Sequence, residues 1–296
     1  MSYKLNDILL SDYGIIPGQA PGSNIALTGM FDLPKRIGET YRAWQDEDEI
    51  EPFVDADEIF LSGRDLVFYG LMSGPRSLTM SRLAILKSDI ALFTDLVVFS
   101  SVFGDYNVKV ERIETEVFDT LTKIVVRMRE PQPDLSGGVL PATGYSNYVA
   151  DSIPFKSFGL YVSDVKGRGE EPGMESGEFT IYGKEGFQIT GRKPKELKIN
   201  GFVKAGTLET FQTNIKALWK LLTDAGTRKV NLNDYATVEG FVTEGFTIAN
   251  FQKQDGLCIA NIDLRLTHIK DFVTVYLTMD TGGSILTAED GKILTF

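Results

Sequence analysis

The sequence holds one histidine, His268, and one cysteine, Cys258. The residue types that most often supply a general base, a nucleophile or a soft metal ligand therefore occur once each. Together they cannot build a Cys/His zinc site, and a single cysteine excludes an internal disulfide framework. His268 sits in "LRLTHIK", one step out of phase with the apolar residues of a strand and without an acid or thiol at catalytic spacing. It reads as a surface or interface histidine. Cys258, in the apolar run "LCIAN", reads as a small hydrophobe. The carboxylates Asp46, Glu47, Asp48 and Glu49, with Glu51, Asp55, Asp57 and Glu58 behind them, have the chemistry of a calcium site or a glycosidase acid pair. They lack the glycine and the alternating oxygen-ligand spacing of a calcium loop, and read as a solvated run. "GRGEEPG" from Gly167 lacks the Gly-Lys-Ser/Thr ending of a phosphate loop and reads as a turn. The expectation is a protein with no catalytic residue, no cofactor and no metal ion: not an enzyme.

One chemical signal occurs twice. "IFLSGRDLVFYGLMSG" and "FQITGRKPKELKINGFVKAG" share an apolar pair, Ser or Thr, Gly-Arg, and then an acidic residue and Leu leading to a glycine between apolar residues. Arg64 and Arg192 occupy the Gly-Arg step. An arginine repeated in this way points to strand-end ion pairing or a subunit contact rather than to a substrate.

The repetition continues on both sides, and internal repeats decide architecture before any other signal. "SDYGI" (Ser11 to Ile15) is echoed by "KSFGL" (Lys156 to Leu160), each suited to a short strand and a turn. Each motif is followed by a helical stripe: Met80, Leu83, Leu86, Ile90 and Phe93, capped at Ser77 or Thr79, and Leu208, Phe211, Ile215, Leu218 and Leu222, capped at Thr207 and stopped near Gly226. Alternation then returns, with Ile124, Val126 and Met128 inward and Arg127 outward, and with Ile262, Leu264 and Leu266 inward and Arg265 outward. The expected fold is mainly β with α: two tandem related β-sandwich or barrel domains, each with one amphipathic helix, plus a C-terminal β-hairpin arm. The boundaries are residues 1–132, a Pro/Gly/Ser-rich linker at 133–151, a second domain at 152–272 and the arm at 273–296.

Composition bounds the function. The chain has 296 residues, 43 % hydrophobic and 24 % charged, enough for two cores and inconsistent with a disordered chain. No apolar run approaches the ~20 residues that cross a bilayer, so no membrane anchor is expected, and the start lacks the charged and apolar regions of a secretory signal. The net charge of -11 disfavours attraction to polyanions but suits a surface past which DNA must slide. The first copy also carries a long front segment, "IPGQAPGSNIALTGMFDLPKRIGETYRAWQDEDEIEPF", where the second is shorter. "FDLPKRIGETYRAW" reads as a hairpin or bent loop that touches a neighbour. Its Leu33, Pro34, Lys35, Arg36, Tyr41 and Trp44, with Arg64 and Arg192, are the candidate assembly interface.

These segments, with "TLTKIVVRMRE", "TLETFQTNIKALWKLL" and "CIANIDLRL", resemble the ring-forming N-terminal domain of bacteriophage distal tail proteins, whose relatives form tail tube and baseplate hub barrels. The resemblance implies a structural virion protein of a tail tip or baseplate. It would be a ring that joins the tail tube to hub or tail-fibre proteins and leaves a channel through which DNA passes without specific binding. Such a protein resides in the virion tail and is assembled in the host cytoplasm. The tandem copies depart from the family's single domain. A homo-hexamer with one domain of each chain in the ring is favoured by the divergent front loops over a pseudo-sixfold trimer. The alternative from another class is a carbohydrate-binding β-sandwich module of a tail or cell-surface apparatus, since the chain has 11 Tyr and 2 Trp and Trp44 adjoins the acidic run.

Overall fold

The structure, a computed structural model, describes residues 2–43, 50–167, 174–192, 194–233 and 237–272. Trp44, the Asp46 to Glu49 run, residues 168–173 and the expected arm at 273–296 lie outside the described residues. In the first half the elements are β1 (Lys4–Leu5), β2 (Ile8–Leu9), β3 (Ile15–Pro17), β4 (Leu27–Thr28), β5 (Tyr41–Ala43), β6 (Ile50–Pro52), β7 (Arg64–Ser73), α1 (Arg76–Ile90), β8 (Val97–Ser101), β9 (Gly104–Val117) and β10 (Leu121–Glu130). The second half has β11 (Tyr148–Ala150), β12 (Ile153–Pro154), β13 (Leu160–Lys166), β14 (Met174–Ile181), β15 (Lys184–Arg192), β16 (Glu196–Ala205), α2 (Leu208–Thr223), β17 (Arg228–Leu232), β18 (Thr237–Phe241), β19 (Phe246–Gln254) and β20 (Leu257–Phe272). The fold is mostly β with two helices among the described residues.

The two halves form eight-stranded antiparallel sheets with the same order. The first runs β2-β1-β8-β9-β10-β7-β3 with β4 also on β7; the second runs β12-β11-β17-β18-β20-β16-β13 with β19 also on β20. Register agrees as well as order. Gly70 faces Ile124 and Asp65 faces Arg129 in the first sheet, while Gly201 faces Ile262 and Glu196 faces Thr267 in the second. A one-residue slip would turn every inward side chain outward, so matched register means matched cores. Leu66, Phe68, Ile124 and Val126 are fully buried, as are Ile199, Val203 and Leu264, while Arg265 points to solvent. Burying side chains of this size is worth ~1.5–3 kcal/mol each.

Four sequence expectations change. "SDYGI" and "KSFGL" are single 3-10 turns, over Leu10–Tyr13 and Phe155–Phe158, that end at Gly14 and Gly159 and lead into β3 and β13. The second sheet begins at β11, inside the stretch read as a linker. In α1 the buried residues are Thr79, Leu83 and Leu86, and Met80 is 42 % exposed on the outer side. Thr79 replaces Met80 in the stripe because its buried hydroxyl is bonded, to the Arg76 carbonyl at 3.1 Å and to Thr122 Oγ1 at 3.2 Å. Pro75, without a side-chain cap, precedes α1 in place of Ser77 or Thr79. Thr207 caps α2 as expected, its hydroxyl accepting from the Thr210 N–H at 3.0 Å.

Candidate assembly interface

Between β4 and β7 the first copy leaves its own sheet, and Gly29 makes this possible. Its φ is 86°, and a Cβ there would collide with the Asp65 carbonyl oxygen. Residues 30–36 then cross to the second domain. The Leu33 N–H donates to the Phe246 carbonyl at 3.0 Å, and the Phe246 N–H donates back to Leu33 at 3.1 Å, an antiparallel bridge onto the free edge of β19. The Arg36 N–H donates to the Thr243 carbonyl at 2.7 Å, and Asp32 Oδ1 accepts from the Ile248 N–H at 2.7 Å. The second domain accommodates this approach at Gly245, where a Cβ would run into the Leu33 carbonyl oxygen.

Beneath the strap lies an aromatic cluster from both domains. Phe31 packs on Phe211 and Phe251 with ring centroids 5.1 and 5.7 Å apart, and Phe103 meets Phe251 edge-on at 6.3 Å. Helix α2 contributes its outer side: Trp219 Nε1 donates to the Phe31 carbonyl at 3.2 Å and Gln212 Nε2 to the Phe103 carbonyl at 2.9 Å. At the far end of the seam, Asn24 Nδ2 donates to the Lys253 carbonyl and Asn24 Oδ1 accepts from the Lys253 N–H, at 2.7 and 2.9 Å.

Arg64 ties the strap to the first core. Its Nε donates to Glu130 Oε2 at 2.6 Å, its Nη1 donates to the Met30 carbonyl at 2.8 Å, and its guanidinium lies over Tyr106 and Trp219, 5.6 and 5.3 Å from the ring centroids. Both charged side chains are only 5 % exposed. Burial pushes the Glu130 carboxyl upward, and Arg64 opposes that shift. Burial likewise lifts Asp32 to about 7 against the opposing Ile248 N–H and Arg64.

One copy of the repeated unit is thus docked on the other through dissimilar surfaces: a strap and strand turn of the first, a helix face and strand edge of the second. No family model matches the chain, and no curated protein matches it. A solved structure, SPP1 Dit (gp 19.1), described as a paradigm of the hub adsorption apparatus in phages that infect Gram-positive bacteria, is similar at 22 % identity and a TM-score of 0.32. The match covers 40 % of this chain and 49 % of that one, about half its length. It is a weak likeness to a phage adsorption-apparatus protein, and at this level nothing about partners or activity transfers from one chain to the other.

The candidate residues fall on this seam in part. Leu33, Pro34 and Arg36 are buried within the chain, and Lys35 is exposed between them. The Arg36 guanidinium donates to the carbonyls of Phe53 and Glu58 and lies 5.8 Å from the Phe241 centroid, and burial lowers its pKa. Tyr41 lies opposite Pro52 in the β5–β6 hairpin. Arg192 ends β15 opposite Met174 and is not the counterpart of Arg64. The register gives that place to Lys195, whose carbonyl accepts from the His268 N–H at 2.8 Å, so Lys195 and His268 stand where Arg64 and Glu130 stand in the first sheet. Sequence reasoning missed Phe31, Phe103, Phe251 and Asp32. Phe31 and Asp32 open the singled-out "FDLP", but nothing marked Phe251 as their partner.

The remaining chemistry is sparse. A cavity of about 210 Å³ opens along the seam between Ile25, Met30, Phe31, Ile248 and Phe251, and no carboxylate, histidine, lysine or cysteine lines it. Cys258 is fully buried, and burial raises its thiol pKa. Among the described residues there is no group of three or more His, Cys, Asp or Glu placed to hold a metal, and no helix is long and apolar enough to cross a membrane.

Proposed function

We propose that this chain is a structural, non-enzymatic ring component of a phage tail tip or baseplate. It joins the tail tube to the hub and leaves a channel for DNA. The observation that carries the reading is the head-to-tail docking of two copies of one unit within a single chain. A heterologous contact that is repeated either closes into a ring or grows into a filament. A chain whose two domains already make one such contact needs only the same contact between chains to continue it. The two domains then alternate around one ring. In the pseudo-sixfold arrangement weighed from the sequence, three chains supply six similar domains. This arrangement differs from the six-chain ring favoured by the divergent front loops, because residues 30–36 of the front loop already lie on the second domain of their own chain. The excess of 41 acidic over 30 basic residues suits a channel wall to which DNA does not adhere.

Negative-stain imaging of the purified chain tests the reading. Annular particles with an open centre are expected; particles with a closed centre, or none larger than one chain, would overturn it.

A further inference from the structure

We propose that the β14–β15 hairpin is the intermolecular counterpart of the 30–36 strap, and that it docks on the outer face of α1 and the open edge of β9 in a second copy of this chain. The inference rests on the ring reading above and names the surfaces that join its chains.

The two segments leave their sheets at the same place. Gly167 has a φ of 85°, and its Cβ would collide with the Glu196 carbonyl oxygen, just as Gly29 meets Asp65. Asp65 and Glu196 hold equivalent registers. What leaves at Gly29 lies across the second domain. What leaves at Gly167 leads to β14–β15, which among the described residues pair with each other and with neither large sheet. The turn of this hairpin carries a fully exposed Tyr182, with Phe179 45 % exposed beside it. Exposed aromatics on a free-standing two-stranded ribbon lack the packing such a ribbon needs for stability.

The receiving surface is recognisable by the same comparison. The buried stripes of the helices coincide as Thr79, Leu83 and Leu86 against Phe211, Ile215 and Leu218. That alignment sets Met80 and Lys87 against Gln212 and Trp219, the two α2 residues that bond to the first domain. Beside Met80 on that face α1 also exposes Ala84, one turn on. The strand edge matches too. Register places Ile113 where Phe246 stands and Thr115 where Ile248 stands, and among the described residues β9 beyond Val108 pairs with β10 alone. The edge that Leu33 and Asp32 occupy on β19 is thus open on β9. A second copy is the occupant because this surface reproduces, position by position, one that the chain already covers with its own strap.

The test uses the 296-residue chain with Met80→Glu/Ala84→Glu on the receiving face and, separately, Phe179→Ser/Tyr182→Ser on the hairpin. All four positions are exposed, so the far-UV circular dichroism spectrum should match the parent. Each variant alone is expected to run as a single chain in sedimentation, and an equal mixture of the two should give dimers but no rings, since only one intact interface can form between them. If the parent forms rings and both variants still do, the surfaces named here are wrong while the ring stands. If the parent is a single chain at every concentration up to ~100 μM, the weak end of specific self-association, both fail. Variants that misfold are replaced by a Tyr182→Cys/Met80→Cys chain, in which interchain cross-linking supports the contact and its absence in assembled parent-like rings refutes it.

Discussion

Arg64 shows how a residue can be visible in a sequence while its role is not. The repeated Gly-Arg paired it with Arg192, yet three extra residues in the second copy fall before the strand and not within it, so Lys195 holds the equivalent place. A dipeptide match carries no register; cross-strand pairing does. Replacing Arg64 with Ala leaves Glu130 buried without its cation and should cost about 3–5 kcal/mol in urea unfolding. Arg64→Met with Glu130→Leu should recover most of that loss. Asp32 makes a pH prediction of definite sign. Burial lifts its carboxyl to about 7 in the fold against 3.8 for a free aspartate, so the folded chain binds the extra proton between those values. The resulting stability is fully present below about pH 4 and is lost as pH rises through 7. The urea midpoint should therefore fall from pH 5 to pH 8, and Asp32→Asn, which keeps an acceptor for Ile248, should flatten that fall. A parent midpoint that rises over this range contradicts the assignment.

At the scale of elements, the helices and long strands were readable because their apolar periods are long and unbroken. In α2 the stripe, its Thr207 cap and its end near Gly226 could be read directly. In α1 the stripe was misread by one residue, because apolar side chains lie on both faces and a buried threonine looks polar in sequence. The β14–β15 hairpin was hidden behind a repeated motif, and the break between β18 and β19 was hidden by its long partner, β20. That break matters physically: it places Gly245 where the first domain's strap arrives. Gly245→Ala combines a φ of 68° with a collision against Leu33, and should lower stability by roughly 1–3 kcal/mol. The same change at Gly183, also at positive φ but with open space around it, should cost no more than the backbone strain. Equal losses at the two sites would remove the close approach from the explanation.

For the whole molecule, duplication was the most informative signal in the sequence, and the identical strand orders give it physical content. What sequence could not convey is that the long first-copy loop closes onto its own second domain, because such docking depends on surfaces brought together only after both sheets form. This moves the assembly question from that loop to its counterpart in the second copy. Trp219 lies in the covered seam, so Trp219→Ala should both destabilise the fold, by about 3–5 kcal/mol, and loosen one domain against the other, seen as faster protease cleavage in the 131–147 stretch. The central claim is that the head-to-tail contact inside one chain is repeated between chains to close a ring. The mass of the assembled protein in solution tests it most directly. A particle of three times the 32.8 kDa of one chain, unchanged on dilution through the micromolar range, is the predicted result; a single-chain mass at every concentration, or six chains with half their domains outside the ring, would contradict it.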